Sequence, residues 1–330
     1  MDLRGQKVLV TGAGGFIGSH LAERLLVSEG CNVKAFVHYN SRGSWGNLEE
    51  LDPQTISELE VVTGDIRDPF AVADAVSGCS VIFHLCALIA IPYSYQAPQS
   101  YITTNVLGTV NVLQAARKMD AQRIVHTSTS ECYGTAGYVP IDEQHSLSTQ
   151  SPYAASKVGA DKVAESFHLS YGLPVATLRP FNTYGPRQSE RAVIPTIVRQ
   201  SLSGGPIQLG SITPTRDFTY VSDTVDGFIR LASAQDAVGR VVNVGSNSEI
   251  SIADLVAIVG ELTGQELVIN TDRQRTRPRN SEVERLVCDN TLAAKVMGWK
   301  PTITLRQGLM KTISFWKERG SDERLGRYHV

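Results

Sequence analysis

Groups capable of proton chemistry stand close together along this chain. A run of β-branched and small residues, Ile124-Val125 and then Thr127 to Ser130, reads as the end of a buried strand. A carboxylate, Glu131, follows at once, and Tyr153 and Lys157 come shortly after it, behind Pro152. At i and i+4 the tyrosine and lysine share one helix face. An ammonium beside a phenol favours the phenolate and lowers its pKa. Such a tyrosine can take the proton of an alcohol.

An alcohol that loses its proton in this way can be oxidised if its hydride has an acceptor, and a second motif makes room for one. In "VLVTGAGGFIGSHLAERL", Gly12, Gly15 and Gly18 have the spacing G-x-x-G-x-x-G between a strand and an amphipathic helix. Glycines permit a tight turn and let the backbone approach a pyrophosphate. Phe16, Ile17 and Gly18 open the helix, whose free N–H groups and positive dipole end favour an anion. Strand before and helix after are the context that a dinucleotide site requires, so a nicotinamide dinucleotide is expected. A carboxylate about 20 residues further on usually selects NAD through the ribose 2′-hydroxyl. Here His38 stands in that place, Arg42 follows, and no carboxylate lies between Glu29 and Glu49. An arginine near the ribose can neutralise a 2′-phosphate. That tilts NAD or NADP slightly towards NADP, with a solvent-facing Arg42 as the other reading. Asp65 and Ile66 in "GDIRD" are placed to frame the adenine. Leu85 and Ala87 are placed to line the cofactor, and His84 reads as a core residue.

The elements that position these groups alternate. "KVLVTGA", "NVKAFVHY", "LEVVTGD", "SVIFHLCA", "RIVHTST" and "PVATLRP" read as buried strands. Between them "FIGSHLAERLLVSEG", "PFAVADAVSG", "NVLGTVNVLQAARKMD" and "YAASKVGADKVAESFHLSYG" read as helices. Such alternation predicts an α/β fold, a Rossmann-type doubly wound parallel sheet with helices on both faces. After Pro180 the texture becomes richer in turn formers, and "RVVNVG" reads as a strand returning to the first sheet. The predicted division is a dinucleotide-binding domain over 1–179, rejoined by about 217–245, and a smaller C-terminal α/β substrate domain from 180–216 and 246–330.

The whole chain sets outer bounds. It has 330 residues, 42% of them hydrophobic, enough for a packed core in one or two domains. Lys+Arg 31 against Asp+Glu 33 gives a net charge of −2, so nothing points to nucleic acid or an anionic membrane surface. No apolar run is long enough to span a bilayer, and the N-terminus reads as a first strand and not a signal peptide. Five scattered cysteines without a CxxC pair indicate neither a metal site nor a disulfide framework, and fit a cytoplasmic protein.

Four motifs in order, "TGAGGFIG", "TSTSECYG", "SPYAASK" and "RPFNTYGPRQ", resemble the extended short-chain dehydrogenase/reductase family that acts on nucleotide sugars. The likeness continues through "PTRDFTYVSDT" and "GWKPTITLRQGL". The triplet Thr129-Ser130-Glu131 is similar to that of the 4,6-dehydratases, in the GDP-mannose variant. "YNSRGSWGNLEEL", "PTRDF" and "RPRNSEVERLVCDN" look like the dehydratases of legionaminic-acid type pathways, which act on a UDP- or GDP-linked N-acetylglucosamine.

The resemblance implies a role for each residue. Tyr153 and Lys157 would serve oxidation at C4, with Thr129 bonded to the C4 oxygen. Glu131 would remove the C5 proton, and Glu131 or a water held by Ser130 would protonate the departing C6 hydroxyl. The hydride returns to C6, so the cofactor is tightly bound and not consumed. Asn182 and Arg216 would hold the pyrophosphate, assisted by Arg191, Arg277 or Arg279. Arg179 and Arg187 lie in the same motifs, and arginine forks match phosphate oxygens. The family usually forms homodimers through the helix of Tyr153 and the one before it. A nucleotide-sugar 4-epimerase and a UDP-glucuronate decarboxylase remain alternatives within enzymes. A non-catalytic dinucleotide sensor is the alternative outside them, and the joint presence of Tyr153, Lys157 and Glu131 speaks against it.

Overall fold

The structure, a computed structural model, describes residues 1–272, 275 and 278–320. Apolar runs of β-branched residues suit strands covered on both faces, and the chain uses them so. Strands β1 (Lys7–Thr11), β2 (Asn32–His38), β3 (Glu60–Gly64), β4 (Val81–His84), β5 (Arg123–Thr127) and β6 (Val175–Pro180) enter one parallel sheet. Then come β7 (Asn182–Tyr184), β8 (Ile207–Leu209), β9 (Thr215–Arg216), β10 (Phe218–Tyr220) and β11 (Val241–Val244). β11 returns to pair parallel with β6, so the sheet runs β11-β6-β5-β4-β1-β2-β3. This is the doubly wound order expected from the alternating pattern.

Successive side chains of the strands go to two different cores, as the two-residue period demands. Val8, Val10, Val81, Phe83, Val125, Ala176 and Leu178 belong to one. Leu9, Ile82, Ile124 and Val175, the residues between them, belong to the other. The helices are α1 (Phe16–Val27), α2 (Pro53–Glu58), α3 (Pro69–Val76), α4 (Ile91–Gln96), α5 (Pro98–Tyr101), α6 (Gly108–Lys118), α7 (Pro152–Tyr171), α8 (Val193–Leu202) and α9 (Val221–Ser233). Residues of α1 and α9 join the first core, and residues of α3, α6 and α7 the second.

Two helices differ from the sequence reading. α1 stops at Val27, short of Gly30. The segment before α6 is a π-helical turn, Ile102–Leu107. Within it Asn105 is buried, and its side chain accepts from Leu88 N (2.8 Å) and donates to Leu88 O (3.0 Å) and Ser156 Oγ (2.8 Å). A wide turn of this kind is the usual way to insert a residue in a helix where a side chain must reach a fixed partner.

Beyond β6 the chain builds smaller sheets. β7 pairs parallel with β10, and β9 lies between β12 (Ile250–Ser251) and β14 (Arg285–Leu286). β8 pairs parallel with β13 (Ile269–Thr271). The helices α10 (Ile252–Thr263), α11 (Thr291–Met297) and α12 (Leu305–Arg319) complete this part. Ile194, Ile197, Val259, Leu309 and Trp316 join the same core as Val8 and Val10, so apolar packing runs without a break from the large sheet into this region. The carboxyl ends of β1, β2, β4, β5 and β6 face it across a cleft of about 860 Å³.

Candidate active site

The glycine loop makes one wall of the cleft. Gly12, Gly15, Phe16, Ile17 and Gly18 all line it. Gly18 has no room for a side chain, because a Cβ there would lie 2.2 Å from the Gly12 carbonyl oxygen. That approach lets α1 begin directly off the strand. Its N-terminus has no side-chain cap, which leaves the helix-start N–H groups and the dipole for an anion. A dinucleotide pyrophosphate fits this arrangement. A second close approach was not read from the sequence: the Trp45-Gly46 turn lies over Gly14, and Asn47 N donates to Gly14 O (2.9 Å). The only sequence signal was "GSWGN", with Gly46 at φ +66°.

The adenosine end only partly follows expectation. His38 lies at the end of β2 and lines the cleft, with Asn40 and Ser44. Arg42 is exposed and is not among the lining residues. Its loop is fixed by Asn40, whose side-chain oxygen accepts from Arg42 N and Ser44 N. Asp65 also lies outside the cleft lining and is bonded to Arg67, which holds its carboxyl at about 2. Ile66 is buried in the core between α3 and α6, and Asp65 before it lines a smaller hollow with Arg67, Asp68, Thr103 and Leu107. Leu85 and Ala87 do line the cleft. Between them and β1, His84 is buried, bonded to Thr11 Oγ1 (2.8 Å) and Thr109 Oγ1 (3.0 Å). Burial holds it well below its ordinary pKa, as a neutral core residue.

Thr129, Ser130, Glu131, Tyr153 and Lys157 come together in the same cleft. β5 ends at Thr127, and Thr129 caps a short 3₁₀ turn, Ser130–Tyr133, by accepting from Glu131 N (3.3 Å). α7 is capped by Ser151, whose hydroxyl accepts from Ala154 N, and Pro152 opens its first turn. That start places Tyr153 in the first turn and Lys157 in the next. Tyr153 is buried, edge-on to Tyr101 at 6.2 Å. Lys157 Nζ donates to Thr127 O at 2.5 Å.

The expectation of a lowered Tyr153 pKa does not hold for the chain by itself. Burial pushes the phenol well above its ordinary value, a hydrogen bond with Thr129 opposes this, and nearby Glu131 adds to the rise. The lysine ammonium is buried and engaged by a carbonyl. Burial lowers its pKa in turn, although Asp161 opposes that.

On the far wall Asn182, Arg191 and Arg216 line the cleft. Asn182 lies on β7 and donates through Nδ2 to Asp217 O (3.3 Å). Arg216 is buried, donating to Thr215 O (2.9 Å) and to Glu282 (3.2 Å). Arg191 is exposed at the rim. Arg275 also lines the cleft, beside Asp272, and was missed in a segment with several arginines in close succession. Arg277 and the side chain of Arg279 lie outside the described residues. Two arginines of the motif segment are committed elsewhere. Arg179 is buried against Asp161 (2.8 Å), and Arg187 Nη2 donates to His20 Nδ1 (2.6 Å) and Glu23 (2.5 Å) on α1. Among the described residues no group of three or more His, Cys, Asp or Glu is arranged to hold a metal, and no helix is long and apolar enough to cross a membrane.

A doubly wound sheet with a glycine loop, a Tyr-x-x-x-Lys helix and a basic far wall around one cleft defines an enzyme of the extended short-chain dehydrogenase/reductase class. The chain belongs to the GDP-mannose 4,6-dehydratase family, which it matches over residues 9–312. That family contains NAD-dependent enzymes that modify sugar nucleotides, dehydratases and epimerases among them. A UDP-glucose 4-epimerase of Mycolicibacterium smegmatis is 34% identical, over 95% of this chain and 99% of the relative. A dTDP-glucose 4,6-dehydratase of Xanthomonas campestris is 32% identical, over 93% of this chain and 92% of the relative. The solved dTDP-glucose 4,6-dehydratase DesIV of Streptomyces venezuelae, with NAD bound, is similar with a TM-score of 0.85 at 30% identity, covering 94% of this chain and 97% of that one.

One pH effect arises from the link between α1 and the cleft. Burial, and then the charge of Arg187, lower the His20 pKa to about 4, while Nε2 bonds Pro186 O (3.0 Å). The unfolded histidine titrates near 6.5. As pH falls from there towards 4, the unfolded chain takes a proton that the native chain refuses, so stability drops. His84 and His126 add the same sign of effect, since burial lowers both. His20→Gln is expected to lose less stability than the parent between pH 7 and pH 5, measured as the shift in urea midpoint. Equal shifts in both proteins would refute the assignment.

Proposed function

We propose that the protein is a nucleotide-sugar 4,6-dehydratase that converts an NDP-hexose, a UDP- or GDP-linked N-acetylglucosamine, to its 4-keto-6-deoxy derivative. The observation that carries this reading is Glu131, a carboxylate that lines the same cleft as Tyr153 and Lys157 and acts on the tyrosine electrostatically. Interconversion at C4 alone asks for one proton-transfer group. Elimination across C5 and C6 asks for a second, and Glu131 supplies it.

The glycine loop and the uncapped start of α1 would hold the cofactor's pyrophosphate, with Leu85, Ala87 and His38 along its length. A nicotinamide dinucleotide, when bound, supplies the reversible two-electron chemistry that makes C4 a ketone and later reduces C6. Tyr153 takes the proton of the C4 hydroxyl, and Thr129 bonds the same oxygen. The positive charge of Lys157 favours the phenolate that burial alone disfavours. The C4 ketone acidifies the C5 proton, and Glu131 removes it. The C6 hydroxyl then departs as water, taking its proton from Glu131 or from a water on Ser130. Asn182 and Arg216 receive the diphosphate, with Arg191 and Arg275 nearby.

Mass spectrometry of UDP- and GDP-N-acetylglucosamine and of UDP-glucuronate, each incubated with the protein, separates the alternatives. Dehydration removes one water, epimerisation leaves the mass unchanged, and decarboxylation of UDP-glucuronate removes carbon dioxide. Glu131→Gln keeps size and shape but cannot act as a base. Its turnover is expected to fall by about 10²–10⁴-fold, with reduced nicotinamide absorbance building up. Tyr153→Phe should lose turnover without that absorbance. Elimination by Glu131→Gln at the parent rate would overturn the mechanism.

The cofactor is proposed to be NAD or NADP, with NADP accepted at least as well. No carboxylate stands at the end of β2, where His38, Asn40 and Ser44 meet the cleft. Titration of both into cofactor-free protein checks this, and a clear preference for NAD would refute it. A cytoplasmic homodimer pairing through α6 and α7 is also proposed. Sedimentation that finds only monomer at working concentration would exclude the dimer.

A further inference from the structure

Beneath the cleft, α7 carries a third ionisable group on the face of Tyr153 and Lys157. Asp161 lies one turn beyond the lysine, and it is 6% exposed. Its Oδ1 accepts from His126 Nε2 (3.0 Å). Its Oδ2 accepts from the Ser128 hydroxyl (2.5 Å) and from Arg179 Nη2 (2.8 Å), while Arg179 Nε donates to Ser128 Oγ (3.0 Å). His126 and Ser128 flank Thr127, whose carbonyl receives the lysine. The carboxylate therefore grips the strand on both sides of the residue that holds Lys157.

Several ionisable groups surround the lysine. Tyr153 and Asp161 lie one turn to either side on its own helix, His126 comes from β5, His84 from β4, Cys86 beyond β4 and Cys132 from the turn after β5, and Arg179 of β6 reaches Asp161 behind it. Burial pushes both thiols up to about 12 and lowers both histidines, so these groups are neutral. The second nitrogen of His126, Nδ1, is buried without a partner, which suits the bare lone pair of a neutral ring. Of these groups Asp161 alone is negative. Burial raises its pKa, but the hydrogen bond from His126 and the charge of Arg179 outweigh that and hold it below the usual carboxylate range.

We propose that Asp161 is a positioning residue for the reaction: it anchors the strand end that holds Lys157 and supplies a buried negative charge one helical turn from it. The proposal rests on the role given to Lys157 above, but the lysine can be read without turnover. In protein labelled with ¹³C at lysine Cε, the Lys157 signal is assigned with Lys157→Arg and titrated with base. Asp161→Asn leaves two buried cations, and the Lys157 midpoint is expected to fall by about one pH unit or more, tenfold in proton affinity. An unmoved midpoint would overturn the electrostatic role, whatever the protein proves to catalyse.

Should Asp161→Asn fail to fold, Ser128→Ala decides. It keeps every charge and removes one anchor. With the parent's own substrate, kcat is expected to fall about fivefold or more with KM nearly unchanged, while the unfolding midpoint also drops because Arg179 Nε loses its acceptor. An unchanged kcat would overturn the anchoring role. A parent that turns over no nucleotide sugar would refute the proposed function instead, and would leave the lysine titration standing.

Discussion

Parallel strands must all end on the same edge of their sheet, and the chemistry of this protein depends on that constraint. β1, β4, β5 and β6 run side by side. The segments that leave their carboxyl ends therefore open onto one line: the glycine loop after β1, Leu85 and Ala87 after β4, Thr129 to Glu131 after β5 and Asn182 after β6. Residues far apart in the chain meet there without any side chain having to be long. The opposite wall is built by the chain beyond β6 and shares one apolar core with the sheet, so the cleft is held from both sides.

The cleft joins two electrostatic regimes. At its floor the groups are buried, and burial decides their state: the phenol of Tyr153 is pushed up, Lys157 is pulled down and the histidines are neutral. The buried carboxylate of Asp161, tied by three donors, offsets the cations there. At its far wall arginines already have acidic companions, Arg216 with Glu282 and Arg275 with Asp272.

Epimerases and dehydratases of this family share the sheet, the glycine loop and the cleft, so the fold does not choose between them. Here the turn after β5 is short and capped by Thr129, and it delivers Glu131 to the cleft beside the tyrosine.

Much of this was determined by local sequence. Period and composition marked every strand of the large sheet, including the return of Val241–Val244, because a strand buried on both faces must be apolar throughout. The glycine spacing and the Tyr-x-x-x-Lys pair were legible because each is a local geometry: a turn with no room for Cβ, and two residues one helical turn apart. Features that depended on distant partners were not legible. Ile66, for one, enters the core between α3 and α6. Arg179 and Arg187 looked like phosphate ligands until Asp161 and α1 claimed them. Asp161, on the helix of Tyr153 and Lys157, belongs to no motif of its own. A charge's role is set by the groups within a few ångströms of it after folding, and only the tertiary structure brings those neighbours together.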